Sequence, residues 1–211
     1  VRCLNKLFQD DAVAAGFARE DTLLLPYWQH DETRYQPNVE REDWMLWVGR
    51  PDRSKALEEA FRFSMLTGFE VRFAAPWYPG DQEWAQVLER VRPPGVTYLG
   101  EISRVQKQDL FSRCRALLYT ARPDYKEAFG LVFLEALCSG TPVVALDHHK
   151  GSTQSWFYPG PPYGIRSLTT EALARDWVNY GASLSPRAVF QRCKEIYDPG
   201  SLANQLNERL R

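Results

Sequence analysis

Short apolar runs alternate with amphipathic segments along most of this chain. The runs are typical of buried strands, and they are Thr22–Leu25, Trp44–Val48, Glu70–Ala74, Val96–Leu99, Ala116–Tyr119 and Val143–Ala145. Other segments repeat apolar residues at steps of three and four, which predicts helices over 1–19, from Lys55 onward, over 81–91 and 104–113, after Gly130, and over 169–183, 185–196 and 202–210. This alternation of strand and helix favours an α/β fold, a parallel sheet with helices on both faces.

The stretch from Glu127 to Ala145 holds the most specific pattern. Gly130 interrupts the apolar periodicity, and the helix that follows it is stopped by Gly140 and Pro142. The apolar run after Pro142 predicts a strand that is buried on both faces. The first amides of the helix have no partners within the helix and carry partial positive charge. The helix start therefore predicts an anion site, for which a diphosphate is the obvious ligand. Gly130 would let that ligand come close to the backbone.

Two carboxylates flank this predicted anion site. Glu127 precedes the helix start, and Glu135 lies more than one turn into the helix. Carboxylates repel phosphate, so the pair makes sense for a ligand that carries hydroxyl groups at both ends, as a nucleoside diphosphate sugar does. The alternative is an ordinary α/β helix whose carboxylates are solvated.

Basic residues follow the second predicted strand. Arg50 comes just after Trp44–Val48, and Lys55 begins the next predicted helix with Ser54 as its predicted N-cap. Both cations would face the crevice at the carboxyl ends of the strands, where α/β sheets bind ligands. Arginine as a fork and lysine as a point charge can neutralise a diphosphate, and Arg53 is a further basic candidate. The alternative is that these are exposed charges at a helix start.

Taken together, these residues resemble a known donor-site signature. Glu127, seven intervening residues and Glu135, with Phe129-Gly130-Leu131 between them and Gly140-Thr141-Pro142-Val143-Val144 after them, are similar to the signature of the retaining GT-B glycosyltransferases of family 4. The resemblance covers roughly residues 20–200. It implies that residues 1–211 form a single nucleotide-sugar-binding domain, the Rossmann-like C-terminal half of a GT-B fold.

The resemblance also implies a role for each of these residues. Glu127, Arg50 and Lys55 are the implied catalytic residues: Glu127 would hold donor-sugar hydroxyls, and the two cations would stabilise the leaving diphosphate. Arg50 and Lys55 match the family's glycine-arginine and lysine-glycine motif, although Ala56 replaces the second glycine. Glu135 would accept hydrogen bonds from the ribose diol. The implied substrate-binding residues are Gly49, Tyr98, Leu99, Ile102, Phe129, Gly130, Leu131, Val132 and Glu135.

The implied reaction is retaining transfer of a hexosyl group from a nucleoside diphosphate sugar to a hydroxyl group of a saccharide or other acceptor. The family needs neither a cofactor nor a divalent metal, and after front-face attack the leaving phosphate takes the acceptor proton. Backbone contacts from Tyr98 to Ile102 would hold the nucleobase, and such contacts do not reveal which base it is.

Composition changes this picture little. The chain has 211 residues and a formal net charge of −1, which suit one domain and give no field that would attract nucleic acid or an anionic membrane. The four cysteines have no metal-ligand spacing and fit buried thiols in a reducing, cytoplasmic compartment. No run has the length of a membrane helix, and no signal peptide is recognisable. The chain begins with Val1 rather than Met, which suggests an excised fragment.

Two further groups of residues leave alternatives. Arg122 and Lys126 add positive charge near the same crevice, where they either touch the diphosphate or are solvated loop charges. His148 and His149 are adjacent, so on an extended loop they point to opposite sides, and no third ligand has a suitable spacing. We therefore predict no metal site.

Some segments depart from the family's pattern. The family has a turn that contains Asn-Gly before its next strand. This sequence has what resembles a divergent copy of that turn, in Leu25-Pro26-Tyr27-Trp28 and Tyr35-Gln36-Pro37. The family also has Gly-Gly and then a glutamate in the loop after the last of these strands. This sequence has Lys150-Gly151-Ser152 and Gln154 there, so we expect different sugar or acceptor contacts.

The N-terminal half of a GT-B enzyme, which holds most acceptor contacts, is not recognisable in this sequence. We expect it in cis, if the chain is an excised domain, or in a partner chain, and peripheral membrane association through that half stays open. Two other functions also stay open. One is a partner subunit that binds a nucleotide sugar without catalysis. The other is a GT-B nucleotide-sugar epimerase, which would convert its substrate without an acceptor, or a glycogen-phosphorylase-like GT-B enzyme, which would need a pyridoxal lysine that no motif here indicates.

Overall fold

The structure is a computed structural model that describes residues 2–3, 6–24, 36, 38–78, 80–149 and 152–196. Four predicted features lie wholly or mostly outside the described residues. They are the turns at Leu25–Trp28 and Tyr35–Pro37, the loop at Lys150–Gly151 and the helix at 202–210.

A six-stranded parallel sheet forms the centre of the molecule. Two short strands, β1 (Arg2–Cys3) and β2 (Leu23–Leu24), pair separately. The central sheet consists of β3 (Glu42–Val48), β4 (Glu70–Ala74), β5 (Val96–Tyr98), β6 (Cys114–Tyr119), β7 (Val143–Leu146) and β8 (Gly164–Ser167). Its strand order is β5-β4-β3-β6-β7-β8, and all neighbours are parallel.

Helices cover both faces of this sheet. They are α2 (Leu57–Thr67), α3 (Gln82–Val91), α4 (Arg104–Arg113), α5 (Leu131–Cys138), α6 (Thr153–Phe157), α7 (Thr170–Tyr180) and α8 (Pro186–Ile196). A further helix, α1 (Lys6–Ala14), contacts β1 and β2. Because side chains alternate along a strand, Trp44 and Leu46 of β3 pack with residues of α4, α5 and α8. Met45 and Trp47 pack with residues of α2, α3 and α7 on the other face.

The chain reverses its direction of travel across the sheet between β3 and β6. Strands β4 and β5 continue on one side of this point, and β7 and β8 continue on the other. The helix after β3 and the helix after β6 pack on opposite faces. A crevice therefore opens between the carboxyl ends of β3 and β6, at the position where open α/β sheets bind their ligands.

The fold class predicted from the sequence is confirmed. The five predicted strands from Trp44–Val48 to Val143–Ala145 all belong to the central sheet, and the helices predicted at 81–91, 104–113 and 185–196 match within one residue. These elements have strong apolar periodicity, which is the signal that local sequence carries best.

Three local features differ from the predictions. The predicted helix at 1–19 begins only at Lys6, because Arg2–Cys3 pairs with β2, a long-range contact that periodicity does not show. The Pro/Gly loop predicted over Pro159–Gly164 matches the structure as far as Tyr163, but the strand β8 that begins at Gly164 was not predicted. A Cβ on Gly164 would lie 2.5 Å from the Val143 carbonyl oxygen. Glycine is thus the residue that lets β8 approach β7.

The third correction concerns the start of α2. Ser54 is not its N-cap, because a 3-10 turn (Arg53–Lys55) intervenes and the helix begins at Leu57. The side chain of Asp52 caps the turn by accepting from the Ser54 amide at 2.9 Å. The chain then passes through Ala56 in the left-handed conformation (φ 45°, ψ 52°). This conformation explains why a glycine suits the position after the lysine.

Candidate functional site

A cavity of about 390 Å³ lies in the crevice between β3 and β6. Its walls come from the ends of both strands, from Lys55, and from the loop that leads into α5. The residues that line it are Trp47, Val48, Gly49, Lys55, Tyr119, Thr120, Glu127, Ala128, Phe129, Gly130, Leu131 and Val132. Its size and its mixture of apolar walls with a few polar groups are typical of small-molecule sites.

Polar contacts fix the two strand ends that frame this cavity. The Trp47 indole N–H donates to Thr120 Oγ1 at 3.0 Å, and the Thr120 hydroxyl donates to the Lys55 carbonyl oxygen at 2.8 Å. Both Trp47 and Thr120 are buried. The turn that carries Lys55 is therefore held against β6.

Lys55 and Glu127 form an ion pair at the wall of the cavity. The Lys55 ammonium bonds Glu127 Oε2, and the two side chains are only 14% and 16% exposed. The ammonium also lies 4.2 Å from the centre of the Tyr125 ring. These two predicted site residues, 72 positions apart in the chain, thus meet in the structure.

Tyr119 completes this group, and sequence reasoning missed it. Its hydroxyl donates to Glu127 Oε2 at 3.1 Å and lies 3.4 Å from the Lys55 ammonium. Burial and the nearby Glu127 carboxylate raise the pKa of the Tyr119 phenol well above its usual value, so the group stays a hydrogen-bond donor. The available signal was the position of Tyr119 as the last residue of an apolar strand at the ligand-binding edge.

The start of α5 forms the opposite wall. Gly130 precedes the helix with φ 69° and has no side chain to cap the first amides. A Cβ on Gly130 would lie 2.6 Å from the Phe133 ring and 3.0 Å from Glu127 Cγ, so only glycine fits here. Leu131 and Val132 belong to the first turn and line the cavity, as the prediction of an anion site requires. Phe129 is buried and packs edge-on against Phe157.

Glu135 lies away from the cavity lining. Its carboxylate accepts from the Lys107 ammonium of α4 at 2.5 Å, and both side chains are mostly buried, at 18% and 24% exposed. Sequence reasoning did not identify Lys107, since nothing local links two residues on different helices. Any ribose diol at Glu135 would share the carboxylate with this lysine.

Arg50 also lies outside the cavity. Its side chain is 61% exposed and donates to Asp52 at 2.7 Å. This hydrogen bond raises the pKa of Arg50. Partial burial raises the pKa of Asp52, but hydrogen bonds from Ser54 and Arg50 outweigh it and lower that pKa overall. The predicted clamp therefore has one member, Lys55, at the cavity, while the other points to a neighbouring carboxylate.

The predicted base-contacting residues lie at the end of β5, beside β4. The Tyr98 ring stacks on Phe73 at 4.7 Å, and its hydroxyl donates to the Ala75 carbonyl oxygen at 2.9 Å. The Leu99 amide donates to the Phe73 carbonyl oxygen, and Ile102 is half-buried. None of the three lines the described cavity. Their predicted role is through the backbone and is independent of these side-chain positions.

The remaining loop charges have partners outside the cavity. Arg122 donates to the Arg53 carbonyl oxygen at 2.9 Å, and Lys126 pairs with Asp11 of α1 at 2.9 Å. Both side chains are about half exposed. Of the two alternatives for Arg122 and Lys126, this arrangement favours surface charges.

The loop after β7 is organised by a buried carboxylate. Asp147 accepts from Ser152 at 2.9 Å, from Gln154 at 3.1 Å and from Arg166 of β8 at 2.7 Å. Within the described residues, no three histidine, cysteine, aspartate or glutamate side chains gather as ligands of a metal ion would. Asp147 thus has a local structural role, and Gln154 contributes to it.

In the part of the chain that the structure describes, no helix has the length and apolar character needed to cross a bilayer.

Comparison with known families gives one match. Residues 81–155 match the family model described as glycosyl transferases group 1. The match covers less than half of the chain and includes β6, the loop with Glu127, α5 and β7. No curated protein has a sequence that matches this chain significantly.

Several solved structures share the fold. AviGT4, a glycosyltransferase involved in avilamycin A biosynthesis, is 21% identical, with a TM-score of 0.75 over 99% of this chain and 62% of its own. HepE of Anabaena, solved in complex with UDP and glucose, is 15% identical, with a TM-score of 0.75 over 100% of this chain and 62% of its own. A chain of the GtfA/B complex is 13% identical, with a TM-score of 0.67 over 89% of this chain and 40% of its own.

At these identities the likeness is one of fold. The chain has the Rossmann-like α/β fold found in one part of these GT-B glycosyltransferases, and it spans between 40% and 62% of their length.

Proposed function

We propose that this chain binds a nucleoside diphosphate sugar in the cavity between β3 and β6 and serves as the donor-binding part of a retaining GT-B glycosyltransferase of family 4. The observation that carries the proposal is the meeting of Lys55, Glu127 and the first turn of α5 around one cavity. A cation, a carboxylate and helix-start amides in one place suit a ligand with a diphosphate beside sugar hydroxyls. The match of residues 81–155 to glycosyl transferases group 1 supports the same conclusion.

Each element of the cavity has a role in the proposed reaction. Lys55 and the amides after Gly130 stabilise the charge that develops on the leaving diphosphate. Glu127 accepts hydrogen bonds from donor-sugar hydroxyls near the reacting carbon. The acceptor hydroxyl attacks on the face that the diphosphate leaves, and the leaving phosphate takes its proton. No step requires a cofactor or a divalent metal.

The ribose and the base would lie beyond this centre. Glu135 accepts from the ribose diol while it keeps its bond to Lys107, and the backbone from Tyr98 to Ile102 holds the base. Arg50 joins the diphosphate by leaving Asp52, an exposed pair whose separation costs little, about 0–1 kcal/mol.

The acceptor site would need residues from elsewhere. The chain spans only part of the solved glycosyltransferases that share its fold. A second GT-B domain, in cis or in a partner chain, would bind a saccharide or another hydroxyl acceptor across the crevice. Cys114, Cys138 and Cys193 are buried cysteines, which fits the reducing, cytoplasmic compartment that we propose.

Calorimetric titration of the chain with UDP, GDP and ADP tests the proposal. We expect one diphosphate to bind, and Lys55→Met to weaken it at least tenfold, because a charge-assisted contact to phosphate is worth about 1.5–3 kcal/mol. Lys126→Met, which removes an equally charged lysine that pairs with Asp11, is the matched control and should leave the affinity unchanged. If no diphosphate binds the folded chain, or if both variants weaken binding equally, the proposal is wrong.

A non-catalytic partner subunit is the second candidate. The position of Arg50 favours this candidate. Arg50 points to Asp52, and among the arginine and lysine side chains that the structure describes, only Lys55 lines the cavity. Such a subunit would bind the donor as above, but joining it to a second GT-B domain would produce neither sugar transfer nor donor hydrolysis.

A further inference from the structure

Tyr119 is a buried tyrosine whose hydroxyl points at the ion pair of the cavity. Its side chain is almost fully buried, and its ring packs against Phe133 of α5 at 4.6 Å. The hydroxyl and the Lys55 ammonium both contact the same carboxylate oxygen, Oε2 of Glu127. One oxygen of Glu127 thus has two donors, one charged and one neutral.

Binding of a diphosphate would affect these two donors differently. A diphosphate at the start of α5 carries at least two negative charges, so it would draw the Lys55 ammonium away from Glu127. Glu127 is mostly buried, and a buried carboxylate that loses its cationic partner is costly and less firmly held. The Tyr119 phenol is neutral, so phosphate does not attract it as it attracts the ammonium.

We propose that Tyr119 is a positioning residue of the proposed donor site: its hydroxyl holds the Glu127 carboxylate in place for the donor sugar once a diphosphate has taken the Lys55 ammonium. This inference rests on the proposed function. It adds a residue that acts through Glu127 and that neither the donor-site signature nor the group 1 match assigns. The fixed contact between the ends of β3 and β6 keeps Tyr119, Lys55 and Glu127 close enough for the exchange.

The proposal makes the effect of the hydroxyl depend on the sugar. When a diphosphate binds alone, water fills the sugar's place and can solvate Glu127, so the hydroxyl matters little. When the sugar is attached, Glu127 must keep one orientation, and the hydrogen bond from Tyr119 to Oε2 helps to hold it there. A merely structural tyrosine would affect both ligands by the same factor.

Tyr158 offers a matched control. It is also fully buried, and its hydroxyl donates to the Phe133 carbonyl oxygen at 2.9 Å on the same helix α5. Tyr158→Phe and Tyr119→Phe each delete one hydroxyl from a buried ring beside α5. The two hydroxyls have different acceptors, because the Tyr119 hydroxyl bonds the Glu127 carboxylate and the Tyr158 hydroxyl bonds a backbone carbonyl oxygen.

The test compares affinities of the full chain by calorimetry. The ligands are UDP, GDP and ADP together with UDP-glucose, GDP-glucose and ADP-glucose. For the nucleoside diphosphate that binds, we expect Tyr119→Phe to weaken binding of its glucose ester about tenfold, because one hydrogen bond to a charged group is lost. Binding of the diphosphate alone should weaken less than twofold. Tyr158→Phe should change both affinities less than twofold.

Glu127→Gln gives a second readout with the opposite sign. Without the competing carboxylate, Lys55 is released to the phosphate, so the diphosphate should bind about threefold or more tightly while the ester binds more weakly. In the Glu127→Gln background, Tyr119→Phe should cause no further loss for the ester, which completes a double-mutant cycle.

The outcomes separate the two proposals. If the wild-type chain binds a diphosphate but no ester, or if Tyr119→Phe weakens the ester no more than Tyr158→Phe does, the positioning role is overturned while the diphosphate site stands. If none of the three diphosphates binds the folded wild-type chain, the proposed function is overturned and this inference with it.

Discussion

Gly130 is the residue on which the shape of the cavity depends most directly. Its φ of 69° turns the chain from the loop with Glu127 into α5, and any side chain there would meet the Phe133 ring. The same missing side chain leaves the first amides of α5 without a side-chain cap. One glycine therefore serves the turn, the close packing and the proposed phosphate contact together.

Gly130→Ala should be clearly more destabilising than an equivalent change elsewhere. Gly68 has the same φ of 69°, but a Cβ on Gly68 would meet nothing within 4 Å. We expect Gly68→Ala to cost about 1 kcal/mol from backbone strain, and Gly130→Ala about 1–3 kcal/mol more, because the added methyl overpacks a filled space. Urea unfolding of both variants measures the difference. Equal losses would show that Phe133 and Glu127 move aside at little cost.

At the scale of elements, Arg41 holds the edge of the sheet that lies opposite the cavity. It precedes β3, and its guanidinium donates to the carbonyl oxygens of Cys114 at 3.1 Å, Ser139 at 2.9 Å and Gly140 at 3.2 Å, and also to that of Phe111. These carbonyls belong to the α4–β6 junction and to the turn between α5 and β7. One side chain thus joins three segments that are distant in the chain.

We predict that Arg41→Met lowers the free energy of unfolding by about 2–4 kcal/mol, since it removes the guanidinium hydrogen bonds to four backbone carbonyls of buried residues. Arg113→Met is the control, because Arg113 is 43% exposed and its pairs with Glu42 and Asp109 lie at the surface. Its loss should cost no more than about 1 kcal/mol. Denaturant unfolding of the two variants gives the comparison, and similar losses would contradict the role assigned to Arg41.

For the whole molecule, the strand order decides where a ligand can bind. The direction in which the chain adds strands to the sheet reverses between β3 and β6. The ends of these strands, the turn with Lys55 and the start of α5 therefore converge on one crevice. The apolar layers on both faces keep these ends in register, and loops on such a frame are well placed to carry a site.

Hydrogen exchange can locate the ligand over the whole chain. We expect inorganic pyrophosphate to slow exchange in residues 49–55 and 127–132 only, because these segments surround the cavity. A nucleoside diphosphate should protect these segments and also residues 98–102, the predicted base pocket. Protection of 98–102 by pyrophosphate alone, or no added protection by the nucleotide, would contradict the assignment of that segment to the base.

The sequence could predict much of this architecture for a definite physical reason. Apolar periodicity reports how a segment is buried, so the strands from Trp44–Val48 to Val143–Ala145 and most helices were found in their correct order. Gly130 and Pro142 were equally readable, because glycine and proline act on their own backbone. Spacing and family resemblance then placed Lys55 and Glu127 as candidates for one site.

Only the tertiary structure decided which partners these side chains have. Tyr119 at Glu127, Lys107 at Glu135 and Asp52 at Arg50 are matters of distance in space, and two of these three pairs join different elements. The start of β8 at Gly164 likewise depends on a neighbour, Val143 of β7, that local sequence does not contain. Local physics thus determined most of the elements, while long-range packing determined some of their ends and which charges meet at the cavity.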